Sequence, residues 1–266
     1  MRRIAWATDL HLEFADDAAR EALLESLSKC RAEALLIGGD TGVAFSFEFY
    51  LSEIADRFRG PVYFVLGNHD FYHGSIRQVR SIARGLGATP SSPAWLAVSG
   101  IVQLTPRTCL IGHDGWGDGR LGKQSASDAL LNDDALIRDF ASLPDSALFK
   151  KLNALGDEAA DHIRQLLLPA LREYQNVIIL THVPPFPEAC LYGGRPTDGD
   201  FLPRFSCAAM GRVVRIFADA YPQRRITVLC GHTHGRCEID ITTNLRVVVG
   251  HARYGQPRLQ EALEIP

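Results

Sequence analysis

The 266-residue sequence has no C-x-x-C pair, no surplus of positive charge and no long uninterrupted apolar run, and each absence closes off a class of function. The six cysteines, Cys30, Cys109, Cys190, Cys207, Cys230 and Cys237, are scattered, which suits a reducing compartment better than a disulfide framework. They read as small apolar core residues, and the cytoplasm is the expected location. The formal net charge is −3, so no overall positive field exists to grip a nucleic-acid backbone by counterion release, and no nucleic-acid polymer is expected as partner. The apolar start Ile4-Ala5-Trp6-Ala7 breaks at Thr8-Asp9 before a signal core forms, so neither a cleaved leader nor a membrane span is expected. With 46% hydrophobic residues, the chain has enough for one large α/β domain and little for two, and residues 1–266 are expected to form a single domain.

What is present is an alternation. Short apolar runs closed by polar or glycine clusters recur at 4–7, 34–37, 62–66, 108–111, 177–180, 226–230 and 245–249, the pattern of buried strands. Between the early ones lie helical spacings: Ala19, Leu23, Leu27 and Cys30 share a face, and Phe47, Leu51, Ile54 and Phe58 repeat it after the cap candidate Ser46, with Gly60 as the stop. Ser75 to Leu86 reads as a third helix, and the sequence of elements points to a layered α/β fold. From about 117 to 174 the alternation lapses into Ala-, Leu- and Asp-rich helical sequence, expected to be an insertion or cap on the sheet. Prolines and glycines gather instead in a long loop from Pro184 to Pro203, after a strand, where binding surfaces are commonly built.

The polar residues that close the strands carry the chemistry. Asp9-x-His11 follows the first, Gly39-Asp40 the second and Gly67-Asn68-His69-Asp70 the third; Thr181-His182 and Gly231-His232-Thr233-His234 follow two later ones. In an open sheet the carboxyl ends of strands converge on one crevice, so these groups can meet. If the segments stay extended, residues i and i+2 face the same side, pairing Asp9 with His11 and His232 with His234. Imidazole, carboxylate and amide oxygen together suit Mn, Fe, Zn or Ni better than calcium or magnesium. Glycines before Asp40, Asn68 and His232 allow sharp turns there.

In that order, D-x-H, G-D, G-N-H-D, an isolated H and G-H-T-H resemble the calcineurin-like metallophosphoesterase family, from Asp9 to His234. The resemblance implies two packed mixed β-sheets flanked by helices, an α/β/β/α sandwich. It implies two divalent transition-metal ions, one held by Asp9, His11, Asp40 and His234, the other by Asp40, Asn68, His182 and His232, with Asp40 bridging. It also implies His69 beside the leaving group as proton donor or electrostatic partner, with Asp70 orienting it. Two cations roughly 3.5–4 Å apart lower the pKa of a shared water and clamp the phosphoryl oxygens, so the bridging hydroxide attacks phosphorus in line. Many members carry a second Asp just after G-D, whereas this chain reads Gly39-Asp40-Thr41-Gly42-Val43, a departure that argues against the protein-phosphatase branch.

Other features have plainer readings. Gly117 to Gly122 formally spells G-x-G-x-x-G, but it opens the irregular region rather than a helix in an early βαβ unit, so a glycine-built loop is the better reading than a dinucleotide fingerprint. His113, at the start of the glycine-built run from Gly112 to Gly122, and His251 after the last apolar run are candidate substrate contacts set against ordinary loop histidines; His73 and His162 read as surface or satisfied core residues. Arg195 and Arg204 flank Phe201 in the loop after His182, and guanidinium plus aromatic could serve a nucleotide-like ester, though solvated loop residues look the same. The expected function is therefore hydrolysis of a phosphomonoester or phosphodiester of a small molecule or nucleotide. A catalytically silent metal-binding scaffold is the alternative, disfavoured because His69 and every implied ligand are present. A DNA nuclease of the same kind would call for a basic groove, which the acidic balance does not offer.

Overall fold

The computed structural model describes residues 1–87, 92–122 and 132–266. In chain order the first layer pair is β1 (Arg2–Ala7), α1 (Asp17–Lys29), β2 (Ala34–Ile37), α2 (Phe47–Arg57), β3 (Val62–Phe64), α3 (Ile76–Leu86) and β4 (Ala94–Trp95). After α4 (Leu96–Ser99) come β5 (Val102–Gln103), β6 (Thr108–Gly112), α5 (Asn132–Leu136), α6 (Asp145–Glu173) and β7 (Asn176–Leu180). The small hairpin β8 (Leu191–Tyr192) and β9 (Arg195–Pro196) leads to α7 (Leu202–Phe205) and α8 (Ala208–Ala220). The chain ends with β10 (Arg225–Cys230), β11 (Cys237–Thr242), β12 (Leu245–Val249) and β13 (Leu263–Ile265).

Two mixed sheets result. One has the order β13-β1-β2-β3-β4, parallel except for β13; the other runs β11-β12-β10-β7-β6-β5, parallel except at its two edges. Period-2 alternation makes the sandwich: Ile4 and Trp6 of β1, Ile178 and Leu180 of β7 and Leu229 of β10 fill the space between the sheets. Their neighbours Ala5 and Ala7 join the core under α1 to α3, while Val177, Ile179 and Val228 join the core under α6 and α8. Burial on both faces explains why these strands read as continuous apolar runs. The edge strands β4, β5, β11 and β13 are short or half exposed and lack that signature, which is why sequence periodicity misses them.

The helix starts follow local rules. Asp16 caps α1 by accepting from Ala19 N at 2.8 Å, and Ser75 caps α3 through Gln78 N at 3.2 Å. Ser46 does not cap α2; its hydroxyl is engaged with the Val43 backbone instead. The sequence read as an insertion contains α5 and the 29-residue α6, which packs against α8, β6 and β7, with residues 123–131 outside the described ones. Gly117 lets its loop pass against the Arg204 backbone, where any side chain would collide, and no helix starts there. All six cysteines are free thiols, four of them buried. Among the described residues no helix is long and apolar enough to cross a membrane.

Candidate metal centre

The loops following β1, β2, β3, β7 and β10 meet at one end of the sandwich, as carboxyl ends of parallel strands do. The backbone there is not extended. Asp9 (φ 51°), His11 (φ 44°), Asp40 (φ 52°), His232 (φ 70°) and His234 (φ 57°) all adopt the left-handed conformation. The i, i+2 pairing therefore comes from tight left-handed turns and not from a continued strand, which corrects the extended reading. Non-glycine residues held this way cost of order 1–3 kcal/mol each and persist where surrounding contacts over-determine them. Here the contacts are visible: Asp9 N, His11 N and Leu12 N donate to the carbonyls of Gly39, Asp40 and Thr41, binding the first loop to the second. A side chain on Gly67 would strike the Asp40 carboxylate, and one on Gly231 would strike Asp9 and Thr8.

Seven candidate ligands come together in two sets. In one, His11 Nε2 lies 3.0 Å from His234 Nε2 and 3.7 Å from Asp40 Oδ2, and His234 Nε2 lies 3.5 Å from Asp9 Oδ1. In the other, His182 Nε2 lies 3.4 Å from the same Asp40 Oδ2 and 3.1 Å from Asn68 Oδ1, which is 3.0 Å from His232 Nδ1. Donors about 2.0–2.1 Å from one cation stand roughly 3.0–3.5 Å apart, so the spacings suit cations and leave little room for anything else.

The hydrogen-bond chemistry makes the same point. Backbone carbonyls only accept, so His182 Nδ1 donates to Gly38 O (2.8 Å) and His232 Nε2 donates to Arg204 O (3.1 Å). Asn68 Nδ2 donates to Asp133 Oδ1 (2.8 Å), which turns the amide oxygen inward. With the rings neutral, three acceptors then face one another at about hydrogen-bond distance with no proton between them. A cation relieves that arrangement, and outer hydrogen bonds of this kind commonly orient metal-binding imidazoles. Buried Asp9 and Asp40 are well suited to it: burial opposes their charge, yet the imidazoles around them hold Asp9 down at about 2 and Asp40 well below the usual carboxylate range. Burial also opposes a charge on His182, but the Asp40 carboxylate draws it up to about 10, so without a cation a proton stands on Nε2, and that proton is the one a cation would displace to give the neutral ring.

His69 sits at the rim of this cluster, stacked on Tyr72 (ring centroids 4.2 Å apart) and edge-on to His11 (4.4 Å). Asp70 does not hold it. Both Asp70 oxygens are taken by the backbone N–H groups of Asp40, Thr41, Gly42 and Gly67 at 2.8–3.0 Å, so its carboxylate pins the loops after β2 and β3 together and its expected role as the partner of His69 is replaced. The carboxylate facing His69 is Glu13, whose Oε1 lies 3.4 Å from His69 Nδ1 and 3.7 Å from His11 Nδ1. Neither contact has hydrogen-bond geometry, so the attraction is electrostatic. Burial opposes the Glu13 charge, but the two imidazoles lower its carboxyl to about 2.

Beside the ligand cluster is a cleft of about 430 Å³, lined by His69, Tyr72, Tyr192, Phe201, Phe205 and Tyr254 among others. Phe205 stands edge-on to His232 at 5.0 Å, and Tyr254 packs on His11 at 4.6 Å, so aromatic rings flank the site on two sides. No Lys or Arg occurs among the described residues that line it. The four substrate-contact candidates lie elsewhere. Arg204 is bound bidentately to Asp134 (2.6 and 2.9 Å) and lies over the Phe149 ring, with only its carbonyl touching the site. Arg195 is exposed on β9; His251 is outside the cleft, its Nδ1 3.0 Å from the His234 carbonyl. His113 is buried away from the cleft against His162, its Nδ1 accepting from Gly115 N at 3.2 Å. Sequence reasoning missed Glu13, Asp133, Asp134 and Tyr254. Glu13 alone had a signal, its place two residues after His11.

The calcineurin-like phosphoesterase family model matches residues 2–236. No curated protein matches the chain by sequence. Among solved structures, the chain is similar to phosphopantetheinyl hydrolase from Mycobacterium tuberculosis, with 12% identity, a TM-score of 0.64, and 97% of this chain and 95% of that one covered. It is also similar to a dimetal phosphatase from Danio rerio (11% identity, TM-score 0.53, 93% and 86% covered). A third, a Plasmodium protein described as the anchor in the inner membrane complex, shares 12% identity with a TM-score of 0.52 and 94% and 71% covered. At these identities the likeness concerns the fold.

Proposed function

The chain belongs to the calcineurin-like phosphoesterase family, whose members are metal-dependent, and from that premise we propose that it is a two-cation hydrolase of a small phosphate ester. Asp9, His11, Asp40 and His234 hold one divalent cation in this reading, and Asp40, Asn68, His182 and His232 hold the second. The observation that carries it is Asp40 Oδ2, which lies 3.7 Å from His11 Nε2 and 3.4 Å from His182 Nε2 and so faces both sets at once. Cations bound there supply Lewis acidity, lowering the pKa of water and offsetting charge on phosphoryl oxygens.

The protein's own groups do the rest. His69 lines the cleft and serves as proton donor to the leaving oxygen, a contribution of about 10²–10⁴-fold for a well-placed acid. Tyr72 and Glu13 hold its ring from two sides. A cleft of about 430 Å³ is of small-molecule size, on the scale of roughly 300–1,000 Å³. Its aromatic walls favour an ester with a planar or apolar group, and its lack of Lys or Arg among the described lining residues disfavours a polyanion.

The test is an assay with Mn²⁺ against p-nitrophenyl phosphate, bis-p-nitrophenyl phosphate, cyclic and linear nucleotides, and a phosphopantetheinyl ester, the last because the Mycobacterium tuberculosis structure bears that name. Turnover on the monoester or the diester arms assigns the ester class. Silence on every arm, with metal bound, would replace the enzyme by a metal-binding scaffold.

A further inference from the structure

The second set of candidate ligands depends on α5, a five-residue helix far from every motif. Asp133, buried at 7% exposure, accepts from Asn68 Nδ2 (2.8 Å) and from the Tyr72 hydroxyl (2.6 Å). Its neighbour Asp134 binds the Arg204 guanidinium with both oxygens, and the Arg204 carbonyl accepts from His232 Nε2 at 3.1 Å. Two adjacent carboxylates thus reach two different candidate ligands of the same half-site. In the other set, Asp9 is tied to His232 N and to Thr8, and His11 faces Glu13, so nothing from α5 touches it among the described residues.

The consequence turns on the amide of Asn68. Its oxygen and nitrogen ends have nearly the same shape, so only hydrogen bonds decide which end faces inward. With Asp133 in place the nitrogen has an acceptor outside and the oxygen meets His182 and His232. Without it the nitrogen keeps outside only the longer contact to the Tyr72 hydroxyl (3.3 Å), and the amide can turn over to donate to the inward lone pairs of the two imidazoles in their neutral form. That satisfies them with protons and leaves no acceptor for a cation. We propose that α5 is the assembly element of this half-site: Asp133 sets the face that Asn68 presents, and Asp134, through Arg204, sets the nitrogen that His232 presents. Both are positioning residues, and the inference rests on the two-cation reading above.

Calorimetric titration of chelator-stripped full-length protein with MnCl₂ tests it, with Mn²⁺ electron paramagnetic resonance to separate a spin-coupled pair from an isolated ion. Wild type is expected to bind two ions. Asp133→Ala is expected to keep one site unchanged and weaken the other by about 10- to 100-fold, the scale of lost outer partners. The coupled signal should give way to that of an isolated ion at limiting metal. Asp133→Asn retains an acceptor oxygen and should stay within a few-fold of wild type, which a charge effect would not allow. Asp134→Ala should weaken the same site by less. Unchanged binding of both ions by Asp133→Ala, or equal weakening of both, would overturn the proposal. Should Asp133→Ala not fold, Asp134→Ala and Arg204→Ala, with side chains nearer the surface, carry the test; wild-type affinity in both would overturn it. A wild type that binds a single ion brings down the two-cation reading and this inference with it, whereas two ions bound with wild-type affinity in every variant bring down this inference alone.

Discussion

The two sets of candidate ligands in the proposed metal centre are built in different ways. Asp9, His11 and His234 stand in short loops directly after β1 and β10, fixed by left-handed turns and by backbone bonds between adjacent loops. Asn68 and His232 take their orientation from Asp133 and, through Arg204, from Asp134, side chains that reach across 65 and 70 residues of sequence. One half is held by the backbone of its own loops, while the other, whose His232 also sits in a left-handed turn, takes added side-chain support from a helix that supplies no candidate ligand itself. A site of this kind can lose one side and keep the other, and Asp40 is the group that would make them fail together.

The strongest way to break the comparison is therefore Asp40→Ala. It should abolish binding of both cations and depress turnover by more than about 10²-fold, beyond the range of outer partners; calorimetry that finds one ion retained at full affinity would show that the halves do not share this carboxylate. Next in size is His69→Ala, expected to keep both ions and lose at least about 10²-fold in kcat. Glu13→Gln sharpens the contrast from the opposite side to α5. Facing His69 and His11, it should cost about 10-fold in kcat and weaken the half-site of Asp9, His11 and His234 while sparing the other, read from turnover and Mn²⁺ titration together.

The smallest effect concerns an imidazole with no cage. Burial, with His162 nearby, pushes His113 down to about 3, and its Nδ1 accepts from Gly115 N, so the ring is neutral in the folded protein. The folded pKa lies below the unfolded value of about 6.5, so the unfolded chain takes up the proton first. This stability is complete above about pH 6.5 and is lost as pH falls toward 3. In chelator, wild type should lose more unfolding free energy between pH 7.5 and 5 than His113→Gln does; parallel losses would refute the assignment.

Much of this molecule was legible in advance. The strand ends, the order D-x-H, G-D, G-N-H-D, H, G-H-T-H and the sandwich implied by it all match, because buried parallel strands write themselves as apolar runs and their carboxyl ends carry the polar residues. Asp70 was misread because a carboxylate next to His69 in sequence points away from it once the turn forms, toward four backbone amides. Arg204 looked like a phosphate clamp, and its partner Asp134 could not be guessed from a stretch without strand or motif.

By itself, the sequence determined which side chains are available at the strand ends and hence the kind of chemistry, since ligand type and strand periodicity are local properties. Only the tertiary structure decided which end of Asn68 faces inward, which nitrogen His232 offers and which carboxylate stands by His69. Those choices are made by hydrogen bonds and charges between segments that are remote in sequence, and no local pattern encodes a partner that only folding supplies.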